Sequence, residues 1–348
     1  MYPKNTWYVA ATAEEVADKP LGRRICGHSV VFFRNAEGRV AAVDDYCPHR
    51  GAPLSLGYVR DGQLVCGYHG LVMSCDGSTA CMPGQRVRGF PRNRSFPVVE
   101  RHGFVWFWPG DPEQADADLI PKLFWAEDPG WAYGGGVYRI DCDYRLMIDN
   151  LMDLTHETYV HATSIGQPEI EEAVAKTVTE GDQVITGRLM ENITAPPFWR
   201  NAMRFAGLPE DAEVDRWQIC RFTPPSNVMI DVGVALAGRG AHEAAPEHRV
   251  AGIVVDLITP ESDDSIWYFW GLARNFKADD PALTATIREA QGKVFLEDVA
   301  MLEAQQRNLQ AFAERQMLKL NIDAGGVQAR RVIDRLVAEE RSSTQQVA

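Results

Sequence analysis

The sequence has no run approaching the ~20 apolar residues that a membrane helix needs, no internal repeat and no low-complexity tract. Its first residues, Met1-Tyr2-Pro3-Lys4-Asn5-Thr6-Trp7, lack the apolar stretch of a signal peptide. The expectation is a soluble, cytoplasmic protein with no membrane association. A surplus of positive charge is also missing. The chain holds 35 Lys and Arg against 48 Asp and Glu, a net of −13, whereas nucleic-acid binding needs cations that neutralise phosphates. The seven cysteines are odd in number and irregularly spaced, which argues against a disulfide framework. In the cytosol a Cys/His cluster points to metal instead.

What is present reads as two domains, since 348 residues exceed the ~100–200 of a typical single one. Ser29–Phe33 and Val40–Val43, joined by a turn at Asn35–Gly38, have the pattern of a hairpin, as do Phe96–Glu100 and Phe104–Trp108. Pro109-Gly110-Asp111-Pro112 punctuates the end of this region, so the boundary is placed there, giving domains 1–112 and 113–348. Beyond it a Trp- and Gly-rich stretch precedes a helix over roughly Arg145–His161. Strand-like runs follow at Gln183–Met190, Trp217–Phe222, Val228–Ala235, Val250–Ile258 and Ser265–Arg274, which suggest a curved antiparallel sheet. The last seventy residues read as helices with a break at Gly325-Gly326. The fold class is α+β rather than alternating βαβ.

Charge is unevenly divided. Residues 1–110 hold 13 Lys and Arg against 9 Asp and Glu, and the remainder 22 against 39. Either the acidic part is only a solvated surface, or the basic part offers a docking face to an acidic partner.

Two clusters carry chemistry. Cys47-Pro48-His49 is followed after sixteen residues by Cys66-Gly67-Tyr68-His69. Each loop supplies one thiolate and one imidazole, the ligand set of a [2Fe–2S] centre with two Cys on one iron and two His on the other. Gly51 and Gly67 let the loops bend, and Pro48 and Pro53 stiffen the first. Structural zinc is the alternative, although it usually pairs C-x₂₋₄-C with H-x₃₋₅-H. Cys26, Cys75, Cys81, Cys142 and Cys220 have no such partners and read as ordinary thiols. The second cluster is Asn150-Leu-Met-Asp153-Leu-Thr-His156-Glu-Thr-Tyr-Val-His161. Two histidines five apart lie ~140° from each other on a regular helix, so the helix must end or loosen if they are to share a metal. By itself an H-x₄-H pair is more often a pair of surface histidines than of ligands.

Cys47-Pro-His-Arg-Gly-Ala-Pro-Leu-Ser and Cys66-Gly-Tyr-His-Gly resemble the Rieske domain of ring-hydroxylating and O-demethylating non-haem iron oxygenases. Ala52 stands where respiratory Rieske proteins carry an extra cysteine. The segment 150–161 is similar to the D/N-x-x-D-x-x-H-x₄-H motif of the same oxygenases at each defined position. The resemblance implies a [2Fe–2S] cluster on Cys47, His49, Cys66 and His69, and a mononuclear Fe(II) on His156, His161 and a carboxylate from a C-terminal helix. That carboxylate is assigned to Asp298, with Glu297 as the rival. It further implies a helix-grip catalytic domain and a head-to-tail homotrimer. Asp153 would then link His69 of one subunit to His156 of its neighbour, and Asn150 would stand near the iron outside its ligand set. Along most of its length, including Ala195–Arg200, Asp215–Arg221, Ile266–Gly271 and Leu320–Gln328, the chain resembles the oxygenase subunits of vanillate O-demethylases. This implies conversion of a methoxybenzoate to a phenol and formaldehyde, with O2 as co-substrate and NADH electrons supplied by an iron–sulfur flavin reductase. A basic face of Arg50, Arg86, Arg88, Arg92 and Arg94 is the candidate reductase dock. Ring dihydroxylation and N-demethylation are the alternatives that the metal motifs leave open. For the substrate carboxylate, Arg200, Arg204 and Arg221 are candidates, with core or surface roles equally open.

Overall fold

A computed structural model describes residues 1–347. The chain divides into two compact units. The first holds Met1–Lys122, Thr259–Ser262 and the segment from Glu339, and the second holds Leu123–Ile258 and Asp263–Ala338.

The first unit is built from short strands: β1 (Tyr8–Thr12), β2 (Leu21–Ile25), β3 (His28–Arg34), β4 (Val40–Asp44), β5 (Tyr58–Arg60), β6 (Gln63–Val65), β7 (Val72–Met73), β8 (Thr79–Cys81), β9 (Ser95–Phe96), β10 (Val98–Arg101) and β11 (Phe104–Phe107). They form three antiparallel sheets ordered β1-β11-β10, β2-β3-β4-β9 and β5-β6-β7-β8. Both hairpins expected from the sequence are present, as β3–β4 and β10–β11. Val31, Phe33, Val43, Leu54, Leu64, Leu71 and Met73 pack into one core that also contains Cys47 and Cys66. Burying each of these large side chains is worth about 1.5–3 kcal/mol, so both thiols are anchored in rigid apolar surroundings.

The second unit carries a seven-stranded antiparallel sheet. Its strands are β12 (Ala132–Ile140), β13 (Lys176–Glu180), β14 (Gln183–Thr194), β15 (Glu213–Thr223), β16 (Asn227–Leu236), β17 (Arg249–Pro260) and β18 (Ile266–Arg274), in the order β12-β18-β17-β16-β15-β14-β13. Helices α1 (Tyr144–Met152), α2 (Glu157–Val160), α3 (Glu169–Glu172), α4 (Pro197–Phe205), α5 (Pro281–Ala311) and α6 (Ala324–Val347) complete it. Because side chains alternate along a strand, register decides which residues share a face. The cross-strand rows Arg188–Gln218–Val232–Gly252, Met190–Arg216–Val234–Val250 and Val184–Phe222–Val228–Asp256 lie on one face.

Three details differ from the sequence expectation. The stretch 132–140 is a strand despite its three consecutive glycines, because it lies beneath α5. A side chain at Gly134 would meet Thr284, and one at Gly136 would meet the Trp270 ring. Gly325 and Gly326 do not break the last helical region but lie in the first turn of α6. A Cβ there would stand 2.7 Å from the Met152 carbonyl or the Asp149 carboxylate, so only glycine permits the contact. The helix expected over 145–161 is interrupted. Asp153 ends α1 in an extended conformation, and its carboxylate accepts from Thr155 N at 3.0 Å to cap a separate 3₁₀ turn, Leu154–His156.

Candidate metal centres

In the first unit the two loops close by the same hydrogen-bond pattern. Cys47 N donates to Ala52 O and Gly51 N to Cys47 O, while Cys66 N donates to Leu71 O and Gly70 N to Cys66 O. Each loop turns on a left-handed glycine, Gly51 at φ 70° and Gly70 at φ 74°. In the second loop the bend is therefore at Gly70 rather than Gly67. Gly67 is small because a Cβ would stand 2.8 Å from Leu56 O. The Cys47 and Cys66 thiols are buried, and burial first, then the neighbouring Cys66, pushes the Cys47 thiol up. The His49 and His69 rings stand 4.5 Å apart and are exposed. Two thiols sit on the inner side and two imidazoles on the outer side. The four do not converge on one point: among the described residues, the group of His, Cys, Asp and Glu atoms that closes on one position lies elsewhere. A single zinc ion requires such convergence, whereas a cluster with separate Cys-bound and His-bound irons does not.

The converging group is His156, His161 and Asp298, whose ligand atoms all lie within 4.8 Å of one another. His156 ends the 3₁₀ turn and His161 is the C-cap of the four-residue α2. The loosened backbone that their spacing demands thus lies on either side of a single short turn, and the ring centroids stand 5.3 Å apart. Asp298 enters from α5, which starts at an Asp280 N-cap with Pro281 behind it. One Asp298 oxygen lies 3.4 Å from His156 Nε2 and the other 3.3 Å from His161 Nε2.

The opposite nitrogens are both occupied. His156 Nδ1 is 2.7 Å from the main-chain carbonyl of Asp153, and His161 Nδ1 is 2.6 Å from Glu297 Oε2, which also accepts from Ser164 Oγ at 2.9 Å. Donation from Nδ1–H fixes the tautomer and leaves both Nε2 lone pairs aimed at the same point. Asn150 Nδ2 donates to Asp298 at 3.1 Å, and Asn150 Oδ1 is buried without a partner. Two imidazoles, one carboxylate and an unsatisfied amide oxygen fit an open, three-ligand iron site. In the metal-free chain, burial works against charge on all three side chains, but their mutual hydrogen bonds prevail. The Asp298 carboxyl is held at about 2, and both histidines lie above their ordinary value.

Sequence reasoning placed Asp153 in line with His156 through its carboxylate. In the structure the link to His156 runs through the Asp153 main chain. The carboxylate turns away to Thr155 N and to Arg188, 3.7 Å off. Motif reading also missed a buried network behind this turn. Arg188 donates to Thr155 Oγ1 at 3.0 Å and to Ile170 O at 2.9 Å. Gln218 donates to both oxygens of Glu157 at 2.9 Å, and Arg216 lies 3.7 Å from the same carboxylate. The i, i+2 alternation of β14 and β15 is the only sequence signal for it.

Residues 6–92 match the Rieske [2Fe–2S] domain model and residues 140–339 the vanillate O-demethylase oxygenase C-terminal domain model. The chain belongs to the vanillate O-demethylase oxygenase family. It is 67% identical to the vanillate O-demethylase oxygenase subunit of Pseudomonas sp. (strain HR199 / DSM 7063), over 99% of this chain and 97% of that one. The fold is similar to dicamba monooxygenase bound to 3,6-dichlorosalicylic acid, with TM-score 0.89, 33% identity, and 97% and 98% of the two chains covered. Dicamba monooxygenase with non-haem iron and dicamba is also similar, with TM-score 0.83, 32% identity and 98% of both chains covered. As a vanillate O-demethylase-type oxygenase subunit the chain is an enzyme, a Rieske non-haem iron monooxygenase that uses a [2Fe–2S] cluster and a mononuclear iron. It is the oxygenase component of a system that includes a reductase, and it acts on an aromatic substrate. No helix among the described residues is long and apolar enough to cross a membrane.

Proposed function

We propose that the protein demethylates vanillate, or a closely related methoxybenzoate, to protocatechuate and formaldehyde. The observation that carries this is 67% identity across 99% of the chain to a vanillate O-demethylase oxygenase subunit. Cys47, His49, Cys66 and His69 are read as the cluster ligands, and His156, His161 and Asp298 as the iron ligands. Residues 1–112 would be the electron-accepting domain and 113–348 the catalytic one. When bound, the iron supplies activation of O2 with electrons received through the cluster.

The chain's own side chains do the rest. Glu297 and the Asp153 carbonyl hold the two imidazoles in the ligating tautomer. Asn150 steadies Asp298. Tyr138, Trp270, Tyr268 and Phe295 pack at centroid distances of 5.2–5.4 Å between sheet and α5, an aromatic wall that would help keep water from the reacting carbon. Hydroxylation of the methoxy carbon gives a hemiacetal, which collapses to phenol and formaldehyde.

His49 and His69 are exposed, and Asp153 is partly exposed. This suits a head-to-tail homotrimer in which His69 of one subunit meets Asp153 of the next. The reductase is read as an iron–sulfur flavoprotein that docks on the basic face, and the compartment as the cytoplasm. Arg92 already pairs with Asp76, and Arg94 donates to the carbonyls of Pro109 and Gly110. Arg50, Arg86 and Arg88 are therefore the cations offered to the partner.

The test is formaldehyde release from vanillate by the purified protein with reductase, NADH and O2. Formaldehyde that matches NADH consumed, with protocatechuate formed, is expected. NADH consumption that yields peroxide and no formaldehyde would remove vanillate as the substrate.

A further inference from the structure

Six buried polar atoms among the described residues of the second unit have no hydrogen-bond partner: Asn150 Oδ1, Glu169 Oε2, Gln218 Oε1, Asp256 Oδ2, Trp270 Nε1 and Arg274 Nε. More than nine in ten such atoms are paired in folded proteins, so each of them needs an account. Asn150 stands beside the iron triad. Asp256 is the least expected of them, because it is a carboxylate with 0% exposure and has no cation within salt-bridge distance among the described residues. Its Oδ1 accepts from Tyr268 Oη at 2.5 Å. The Tyr268 ring packs on Phe295 at a centroid distance of 5.4 Å, and Phe295 shares a face of α5 with Asp298, one turn on. Asp256 is thus tied through two aromatic contacts to the helix that carries the carboxylate of the triad. Trp270, two residues after Tyr268 and so on the same face of β18, adds a second buried donor without an acceptor.

A fully buried carboxyl with no counter-ion keeps its proton. With Oδ1 already accepting from tyrosine, the proton resides on Oδ2, which makes Oδ2 a buried donor without an acceptor. A neutral donor there pairs best with an anionic oxygen. We propose that Asp256 is a specificity-determining residue whose neutral carboxyl donates to the carboxylate of an aromatic methoxy acid and orients it over the iron triad. This rests on the reading that such an acid is the substrate. Arg200 and Arg204 are exposed, and Arg221 lies on the opposite sheet face from Cys220 and Phe222. The buried Arg188 and Arg216 share the Asp256 face but are engaged, Arg188 by Thr155 and Ile170 and Arg216 by Gln167 and Glu157. Burial first, and then the charge of Asp298, raise the Asp256 carboxyl to about 8, against the lowering effect of Tyr268. The titratable groups that sense it are Tyr268, Tyr133, Cys220 and Asp298, none of them cationic. Arg288 of α5 acts on Tyr133 and Tyr138 instead.

The experiment is equilibrium dialysis of vanillate, 3-methoxybenzoate and guaiacol against the metal-loaded, oxidised protein, for wild type, Asp256→Asn and Asp256→Leu. The wild type is expected to prefer both acids to guaiacol. Asp256→Asn keeps a neutral donor and keeps the preference. Asp256→Leu cuts it by about 10- to 100-fold, the worth of a hydrogen bond to a charged group. The wild-type preference also fades above pH 8, and that of Asp256→Asn does not. A ratio within one variant is insensitive to partial misfolding. An undiminished preference in Asp256→Leu would overturn the assignment. So would a loss confined to vanillate, since Asp256 would then read the ring hydroxyl. Failure of the wild type to bind either acid would overturn the substrate reading itself and this inference with it.

Discussion

His161 Nδ1 lies 2.6 Å from Glu297 Oε2, while its Nε2 faces the neighbouring carboxylate, Asp298, at 3.3 Å. Adjacent acids on α5 therefore grip opposite edges of one imidazole. Only Asp298 shares its point of convergence with His156. Asp298→Ala is expected to abolish binding of the mononuclear iron and leave the cluster intact. Glu297→Gln is expected to weaken iron affinity by about 10- to 100-fold, as removal of a ligand's supporting charge usually does. Iron analysis after dialysis against a chelator separates the two, and equal loss in both variants would mean that the carboxylates share the ligand role.

The Asp153 carboxylate is held by Thr155 N and the nearby Arg188 rather than by the triad. Asp153→Asn is accordingly expected to retain both metals while steady-state turnover falls about 10- to 100-fold. Full iron content with wild-type turnover would show that this carboxylate bridges nothing.

Glu157, Arg216 and Gln218 are 6%, 5% and 3% exposed, so the charges of Glu157 and Arg216 are screened little by water. Glu157→Ala leaves the Arg216 guanidinium buried with Gln167 as its one side-chain acceptor among the described residues. A loss of about 3–5 kcal/mol of unfolding free energy is expected. Urea denaturation of the metal-free protein measures it, and a loss under about 1 kcal/mol would mean that water reaches the network.

The metal-free protein should also have a characteristic pH dependence. The lowered carboxyl of Asp298 contributes stability that is present above the unfolded value of about 3.9 and is lost as pH falls toward about 2. The raised pKa values of His156 and His161 contribute stability that is present below about 6.5 and is lost as pH rises through their folded values. Asp256, raised to about 8, acts in the same direction as the histidines. Because the unfolded Asp256 carboxyl titrates near about 3.9, its part of the loss begins there, so thermal stability should peak near about pH 4 and decline toward pH 8. Iron loading should flatten the part of that decline due to the histidines, because ligating histidines are neutral. A metal-free Tm that rises from pH 6 to 8 would contradict this.

The parts of the site that short spacing encodes were legible in the sequence. C-x-H and C-x-x-H place four ligands in two loops, and H-x₄-H requires the broken helix that Asp153 produces. Asp298 was reachable only through resemblance, because one acid on a long helix looks like any other. Its distinction from Glu297 is one of direction, which sequence does not display. The strand 132–140 escaped notice because its glycines serve the approach of α5 rather than strand propensity. Arg188, Gln218 and Asp256 share a face only through strand register. A polar residue within an apolar run gives no sign of whether it faces water or a buried site.

The most direct test of two cooperating metal centres is a single turnover without reductase. The protein is reduced chemically, freed of reductant and mixed with vanillate and O2. Formaldehyde formed in proportion to cluster oxidised is the predicted result, with Asp153→Asn remaining reduced and forming almost none. Cluster oxidation in the wild type without formaldehyde, at any vanillate concentration, would contradict the account.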